Sequence, residues 1–391
     1  MMAAIFGLQA LGVDAMLPAL EVIGDHYVIN DPNDQQLVVF TFVFGFGFPQ
    51  LFFGPICDRF GRKILLQLSL IFYVITSLLC LVAPTFGTLL TLRFLQGVCC
   101  AGTRVSAGAI IRDLSKGRAM ASILSLVYTV FMIVPIIAPA LGTVIMAFMD
   151  WQWIFGSLGI ITGVVFIWAQ YRLPKTLRKE DRRSISIAQI IYGFRQVFSH
   201  RITFGYMIAN GIIFGSLFAF LGASEQVFDE VFGRSENFYL YFAGVAALLG
   251  VMTYLNSRAV GRFGMRRISH SVVIIFILLS LTNLLYMQFV EQDFWVFYSL
   301  FVLTFGCFGM LGANFSSLAL EYMGHVAGTA NAVYGCTTMT LSCLFGYLAA
   351  QSFDGTVRPL LITFFLLGVS SLVVILITER GKLFEVGEGK S

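Results

Sequence analysis

The sequence predicts an all-α polytopic membrane protein whose twelve transmembrane helices form two pseudo-symmetric bundles of six. Three observations carry this expectation. Hydrophobic residues make up 58% of the 391 and charged residues only 12%, against about 25% charged in a soluble domain, so the chain cannot cover a water-facing surface. Apolar stretches of spanning length recur twelve times between polar breaks. A short loop pattern around residue 59 also returns at a constant offset of 203 residues, roughly half the chain. A spanning helix needs ~20 apolar residues, so twelve of them with short connections consume the whole sequence. That excludes a large extramembrane domain and nearly every soluble enzyme fold. The net charge of +4 is too small to imply a nucleic-acid partner, and the positions of the charges matter more than their sum.

The spans are read at 3–23, 36–56, 65–83, 86–111, 119–148, 153–173, 203–223, 237–257, 268–289, 294–320, 326–350 and 359–378. A transmembrane β-barrel would require ~10-residue segments of alternating polarity, whereas Leu65 to Ala83 is almost continuously apolar. Lys and Arg resist translocation and mark the cytoplasmic loops. If the amino end lies inside, the inner loops and tail collect Arg59, Arg62 and Lys63, then Arg112, Lys116 and Arg118, then a long run from Arg172 to Arg201, then Arg258 to Arg267, and finally Arg380, Lys382 and Lys390. The outer loops hold Arg234 and Arg358 among a dozen acids. Both termini are therefore expected in the cytoplasm, with the chain in the inner (cell) membrane. Only Arg93, Arg104 and Asp14 are left within the spans.

The polar interval 174–202 divides the chain into an amino-terminal six-helix bundle (1–173) and a carboxyl-terminal bundle with a short tail (203–391). It reads as a cytoplasmic linker, either simply solvated or drawn to anionic headgroups. No cleaved leader is expected, because the first span leads into Asp25 and Asp31 without a positive front or a small-residue cleavage pattern. The seven cysteines lie in or beside spans without a C-x-x-C pair, and are expected to be small apolar packing residues. No metal or cofactor is called for.

Between spans two and three stands Gly54-Pro-Ile-Cys-Asp58-Arg59-Phe60-Gly61-Arg62-Lys63, and between spans eight and nine Ser257-Arg-Ala-Val-Gly-Arg262-Phe263-Gly264-Met265-Arg266 repeats it. Arg59 aligns with Arg262, Phe60 with Phe263, Gly61 with Gly264 and Lys63 with Arg266. Parallel six-helix repeats related by an axis along the membrane normal are one transporter architecture, with the binding site near the midplane. The first copy resembles the loop signature of the major facilitator superfamily. The resemblance implies the major facilitator fold and a gate latch made by Gly54, Asp58, Arg59, Gly61, Arg62 and Lys63. Physically, Gly61 permits a tight turn, while Asp58 can accept from a helix amino end or pair with an Arg. Gly261 stands where Asp58 would in the second copy, which implies a weaker latch there. An ordinary basic loop is the bland alternative.

In span four, Arg93-Phe-Leu-Gln96-Gly97 is similar to the R-x-x-Q-G element that the family associates with proton coupling. A guanidinium in hydrocarbon must be paired or hydrated. At ~1.5 Å per residue, Asp14 lies roughly 13 Å and Arg93 roughly 10 Å from the same end of their spans, so an Asp14–Arg93 pair is expected. It would act either as a proton switch or as a static packing contact. Asp14 to Leu20 in span one, Arg112-Asp113-Leu114, and Pro135-Ile-Ile-Ala138-Pro139-Ala-Leu-Gly142 in span five together resemble the Bcr/CflA branch of drug:proton antiporters. Ala138 departs from the usual glycine, and only Gly142 follows. Gln96, Gly97, Pro135, Pro139 and Gly142 are accordingly hinge or packing residues, in a Pro-kinked helix whose small residues allow close approach.

The resemblance implies proton-coupled antiport, an efflux of small amphipathic or hydrophobic compounds such as drugs by alternating access. The alternative is proton-coupled transport of one metabolite such as a siderophore or sugar. Met16, Tyr128, Met132, Asn210, Phe214, Asn314, Asn331 and Tyr334 are candidate cavity residues, since flexible Met and aromatic surfaces suit varied apolar ligands. The expected partners are a small-molecule substrate, protons and the lipid bilayer, with the chain a monomer. An enzyme is disfavoured: there is no H-E-x-x-H, no G-x-x-x-x-G-K-[ST], and the four His all stand near loops.

Overall fold

A computed structural model describes residues 1–115, 117–174, 187–289 and 293–384. Every regular element among them is helical. The first unit, Met1–Ala188, holds α1 (Met2–Asp14), α2 (Leu20–Tyr27), α3 (Leu37–Gly47), α4 (Gln50–Phe60), α5 (Arg62–Cys80), α6 (Phe86–Leu114), α7 (Gly117–Phe148) and α8 (Trp153–Arg172). The second, Gln189–Ser391, holds most of α9 (Ile187–Ser199), then α10 (Arg201–Gln226), α11 (Phe238–Phe263), α12 (Met265–Phe289), α13 (Phe294–Leu320), α14 (Ala327–Ala350) and α15 (Arg358–Thr378).

Ten helical stretches among the described residues are long and apolar enough to span a bilayer, and the bent pair α3–α4 makes an eleventh. The remaining interval is the 32-residue α7, of which Ile133–Phe148 is described as an apolar helix. The chain is a multi-pass membrane protein.

Two spans that read as single helices are broken. Pro18 has no N–H to offer the Asp14 carbonyl and its ring crowds that group, so α1 stops at Asp14 and the chain passes through a 3₁₀ turn, Leu17–Ala19, into α2. In the second span Pro49 caps α4, which turns by 45° from the preceding helix. One further helix, α9, lies inside the interval 174–202 that composition assigned to a linker.

The halves repeat in packing as well as in sequence. In the first unit α1 packs on α7 and α6, α3 on α6, and α5 on both α6 and α8; in the second α10 packs on α14 and α13, α11 on α13, and α12 on both α13 and α15. Each is the same helix pair six spans on. Gly61 (φ 105°) and Gly264 (φ 79°) break the chain identically before the third and ninth spans, in a backbone region that side chains other than glycine's avoid. A Cβ on Gly142 would overlap the Ala15 carbonyl, and one on Gly346 would fall 2.6 Å from the Cβ of Phe218. Residue 218 lies 203 after residue 15, so the repeat extends to a close helix crossing that no sequence string reveals.

Candidate functional site

Arg93 is completely buried. Its Nε donates to the Val38 carbonyl (2.9 Å), Nη1 to Gln96 Oε1 (2.7 Å) and Nη2 to the Gly12 carbonyl (2.7 Å), while the guanidinium lies 4.5 Å from the Phe42 ring centre. Gln96 is fixed in turn, since its Nε2 donates to Ser77 Oγ (2.6 Å), which donates to the Tyr73 carbonyl (2.7 Å). Small residues bring the backbones within reach. A Cβ on Gly97 would fall 2.8 Å from the Phe46 nitrogen and overlap the Phe42 carbonyl; one on Gly45 would overlap the Phe94 carbonyl. The helices α3 and α6 thus touch main chain to main chain.

The expected Asp14–Arg93 ion pair is not formed. The depth match was right, because Arg93 reaches α1 at Gly12, only two residues from Asp14. Rotation decides otherwise: two residues on a helix are about 200° apart, so the face that meets Arg93 is not the face that carries Asp14. Asp14 shares its side of α1 with Gly7, seven residues earlier, where a Cβ would touch Val134 of α7 at 3.1 Å. It is 5% exposed, and among the described residues it makes no hydrogen bond and none of the ion pairs. The acid therefore ends α1 beside α7, whose Pro135 and Pro139 leave two further carbonyls without helical donors and whose Gly142 lies against Ala15 and Pro18. Met16 is wholly buried at the same break. The side chains of Tyr128 and Met132 lie outside the described residues.

Arg104 stands eleven residues after Arg93, on the same face of α6. It bonds Gln9 and lies over the rings of Phe6 and Phe46. Sequence reading missed Gln9, although it precedes Gly12 by almost one turn on the helix that Arg93 contacts.

At the loop between α4 and α5, Arg62 pairs with Asp58 (3.4 Å) and also with Asp113 at the end of α6. Lys63 Nζ donates to the carbonyls of Leu173 (2.6 Å) and Gln170 (3.0 Å), capping the negative end of α8. Arg59 lies over Phe60, and a Cβ on Gly54 would meet nothing within 4 Å. In the second copy Arg262 likewise lies over Phe263. Arg266, aligned with Lys63, pairs with Glu379 (2.9 Å) and Glu321 (3.5 Å). Both basic residues thus brace the end of the sixth span of their half, one through carbonyls and the other through a carboxylate. Glu379 also accepts from Tyr206 (2.7 Å), whose hydroxyl bonds His270 Nε2 (3.0 Å); the Phe384 N–H donates to Nδ1 of that ring. His270, placed near a loop by sequence, is completely buried.

Of the candidate cavity residues in the second unit, Asn210 is buried and lies beside the buried Tyr334 hydroxyl, which also faces Ser316. Phe214 packs on Phe308. Asn314 is committed to a reciprocal amide pair with Asn256 (2.9 and 3.1 Å), and exposed Asn331 bonds the Ala327 carbonyl of its own helix. The position 203 after Asp14 is Leu217, so the buried acid belongs to one copy of the repeat.

A family model for the Major Facilitator Superfamily matches residues 2–347. The chain belongs to the Major Facilitator Superfamily. It is similar to a bicyclomycin resistance protein homolog of Haemophilus influenzae, 30% identical over 91% of this chain and 89% of that one. Multidrug resistance protein MdtL of Salmonella paratyphi A is 30% identical over 66% of this chain and 64% of its own length. Among solved structures, a D-xylose–proton symporter superposes with a TM-score of 0.73 at 13% identity, covering 98% of this chain and 97% of that one, a likeness of fold alone. As a member of the superfamily the chain is a membrane transporter, and the two relatives named above bear the names of drug-resistance proteins.

Proposed function

We propose that this protein is a proton-coupled antiporter that exports small amphipathic or hydrophobic compounds, drugs among them, by alternating access, with Asp14 carrying the exchanged proton. The observation that carries this reading is the placement of Asp14. It is a buried carboxyl group that makes no hydrogen bond or ion pair among the described residues, at a proline-broken helix end, beside a second helix that contains two prolines. Desolvation disfavours its charge unless a conformational change brings water or a cation close, so protonation and conformation are coupled at this residue. Arg93 serves as a positioning residue: it ties α1, α3 and α6 together beneath the acid and keeps Gly12 fixed while Asp14 titrates. The drug-resistance names of the relatives support the substrate class. One charge moved across 100 mV is worth about 2.3 kcal/mol, enough for roughly a fifty-fold gradient of an uncharged solute. Both termini face the cytoplasm, following the cation distribution, and the monomer sits in the inner membrane.

The test is a proteoliposome assay in which an imposed pH gradient drives candidate compounds. Asp14→Asn abolishes gradient-driven transport while leaving the thermal melt and counterflow exchange of substrate intact. Gradient-driven transport persisting in that variant overturns the assignment of the proton to Asp14. Transport of a single metabolite with no drug movement overturns the substrate class.

A further inference from the structure

α9 begins in a segment that the residue pattern left as linker, and its surroundings fix its level. It ends at Ser199, and α10 starts two residues later at Arg201; the intervening His200 is extended (φ −88°, ψ 108°), so the two helices are not one rod. Inward-facing Gly193 approaches Thr329, in the first turn of α14, so closely that a Cβ would lie 2.8 Å from the threonine Cβ. The helix is therefore anchored at the ends of two spanning helices, which is the level of the membrane surface.

Its faces are sharply different. Gly193 and Val197 are buried against the bundle. Ile191, Tyr192 and Phe198 are 61%, 52% and 46% exposed, with exposed Arg195 among them on the same side. Phe198 is also stacked on Phe194 and tilted against Phe204, which holds its ring in place. An aliphatic side chain, two aromatic rings and an arginine on one outward face are the composition of a helix lying in a bilayer interface. The chain around it carries charge of one sign, since no Asp or Glu occurs in sequence between Asp181 and Glu225, whereas Arg182, Arg183, Arg195 and Arg201 do.

We infer that α9 is an interfacial anchor. Its Ile191–Tyr192–Phe198 face is immersed in the headgroup region of the leaflet, and Arg195 binds the phosphate of an anionic lipid. The occupant of this face is the bilayer itself, and the inference does not depend on antiport.

A nitroxide at Ile191→Cys, in the full chain reconstituted in phosphatidylcholine vesicles with or without phosphatidylglycerol, tests it. Wild-type protein labelled in parallel corrects for the seven native cysteines. The label collides with dissolved oxygen several-fold more than with a water-soluble nickel chelate. Phosphatidylglycerol increases that preference, and Arg195→Gln cuts the increase about fivefold, the worth of one cation at an anionic surface. A label at Phe198→Cys reports the same if the first variant folds poorly. Preferential collision with the chelate, or protection from both reagents, overturns immersion. Equal accessibility in the two lipids overturns the anionic contact.

Discussion

Replacing Gly97 with alanine tests the claim that Arg93 is held by backbone approach. The added Cβ would stand 2.8 Å from the Phe46 nitrogen and overlap the Phe42 carbonyl. Neither is the flexible end of a side chain, so α3 and α6 must separate by several tenths of an ångström or more. Overpacking of a fitted interface costs about 1–3 kcal/mol, and opening it also lengthens the Arg93 bond to Val38, now 2.9 Å. At about 2–4 °C per kcal/mol for a unit of this size, Gly97→Ala should melt several degrees below wild type in detergent. Gly54→Ala is the control. Gly54 lies within helix α4 with open space where its Cβ would be, so alanine there gains about 0.5–1 kcal/mol of helix propensity and should melt at or slightly above wild type. Equal melting of Gly97→Ala and wild type would refute the main-chain contact. A loss of transport in a stable Gly54→Ala would show that another conformation fills that space.

Arg93→Lys keeps the charge but cannot reproduce a planar fork to three acceptors on α1, α3 and α6; losing two bonds at about 0.6–2 kcal/mol each in a membrane should lower the melt and loosen gradient coupling, with transport and melting measured on the same preparation. Lys63→Met removes the cation from the end of α8 and should cost about 0.3–1 kcal/mol, read as a small drop in melting that high salt reduces. His200 caps α10 by accepting the Thr203 N–H on Nδ1, and burial and then Arg201 hold its pKa below the ordinary value of 6.5. Because the folded pKa is the depressed one, the cap contributes fully above 6.5 and is lost as pH falls from there through the folded value. His200→Asn caps without titrating and should flatten that part of the melting-versus-pH curve; an unchanged slope would refute the cap. Tyr206→Phe strips a donor from Glu379 and a partner from buried His270, and should cost about 1–2 kcal/mol by thermal melting.

The sequence determined whatever follows from period and composition. Twenty-residue apolar runs must become helices in a bilayer because unpaired backbone groups are too costly there, and the offset of 203 was legible because a turn needing positive φ, at Gly61 and Gly264, demands the same residue twice. Pro18 and Pro49 were visible, but whether each would kink or break its span depended on what packs beside it. The partner of Arg93 was decided by the tertiary structure. A depth along the membrane can be counted in residues, whereas the azimuth of a side chain depends on how each helix is rolled against its neighbours. Helix roll is set by contacts such as Gly97 on Phe42, Gly45 on Phe94 and Gly142 on Ala15, made between residues tens of positions apart. For the same reason Asp113 could be read only as part of a family string until α6 brought it to Arg62, and α9 stayed hidden until Thr329 gave its small face something to lie against.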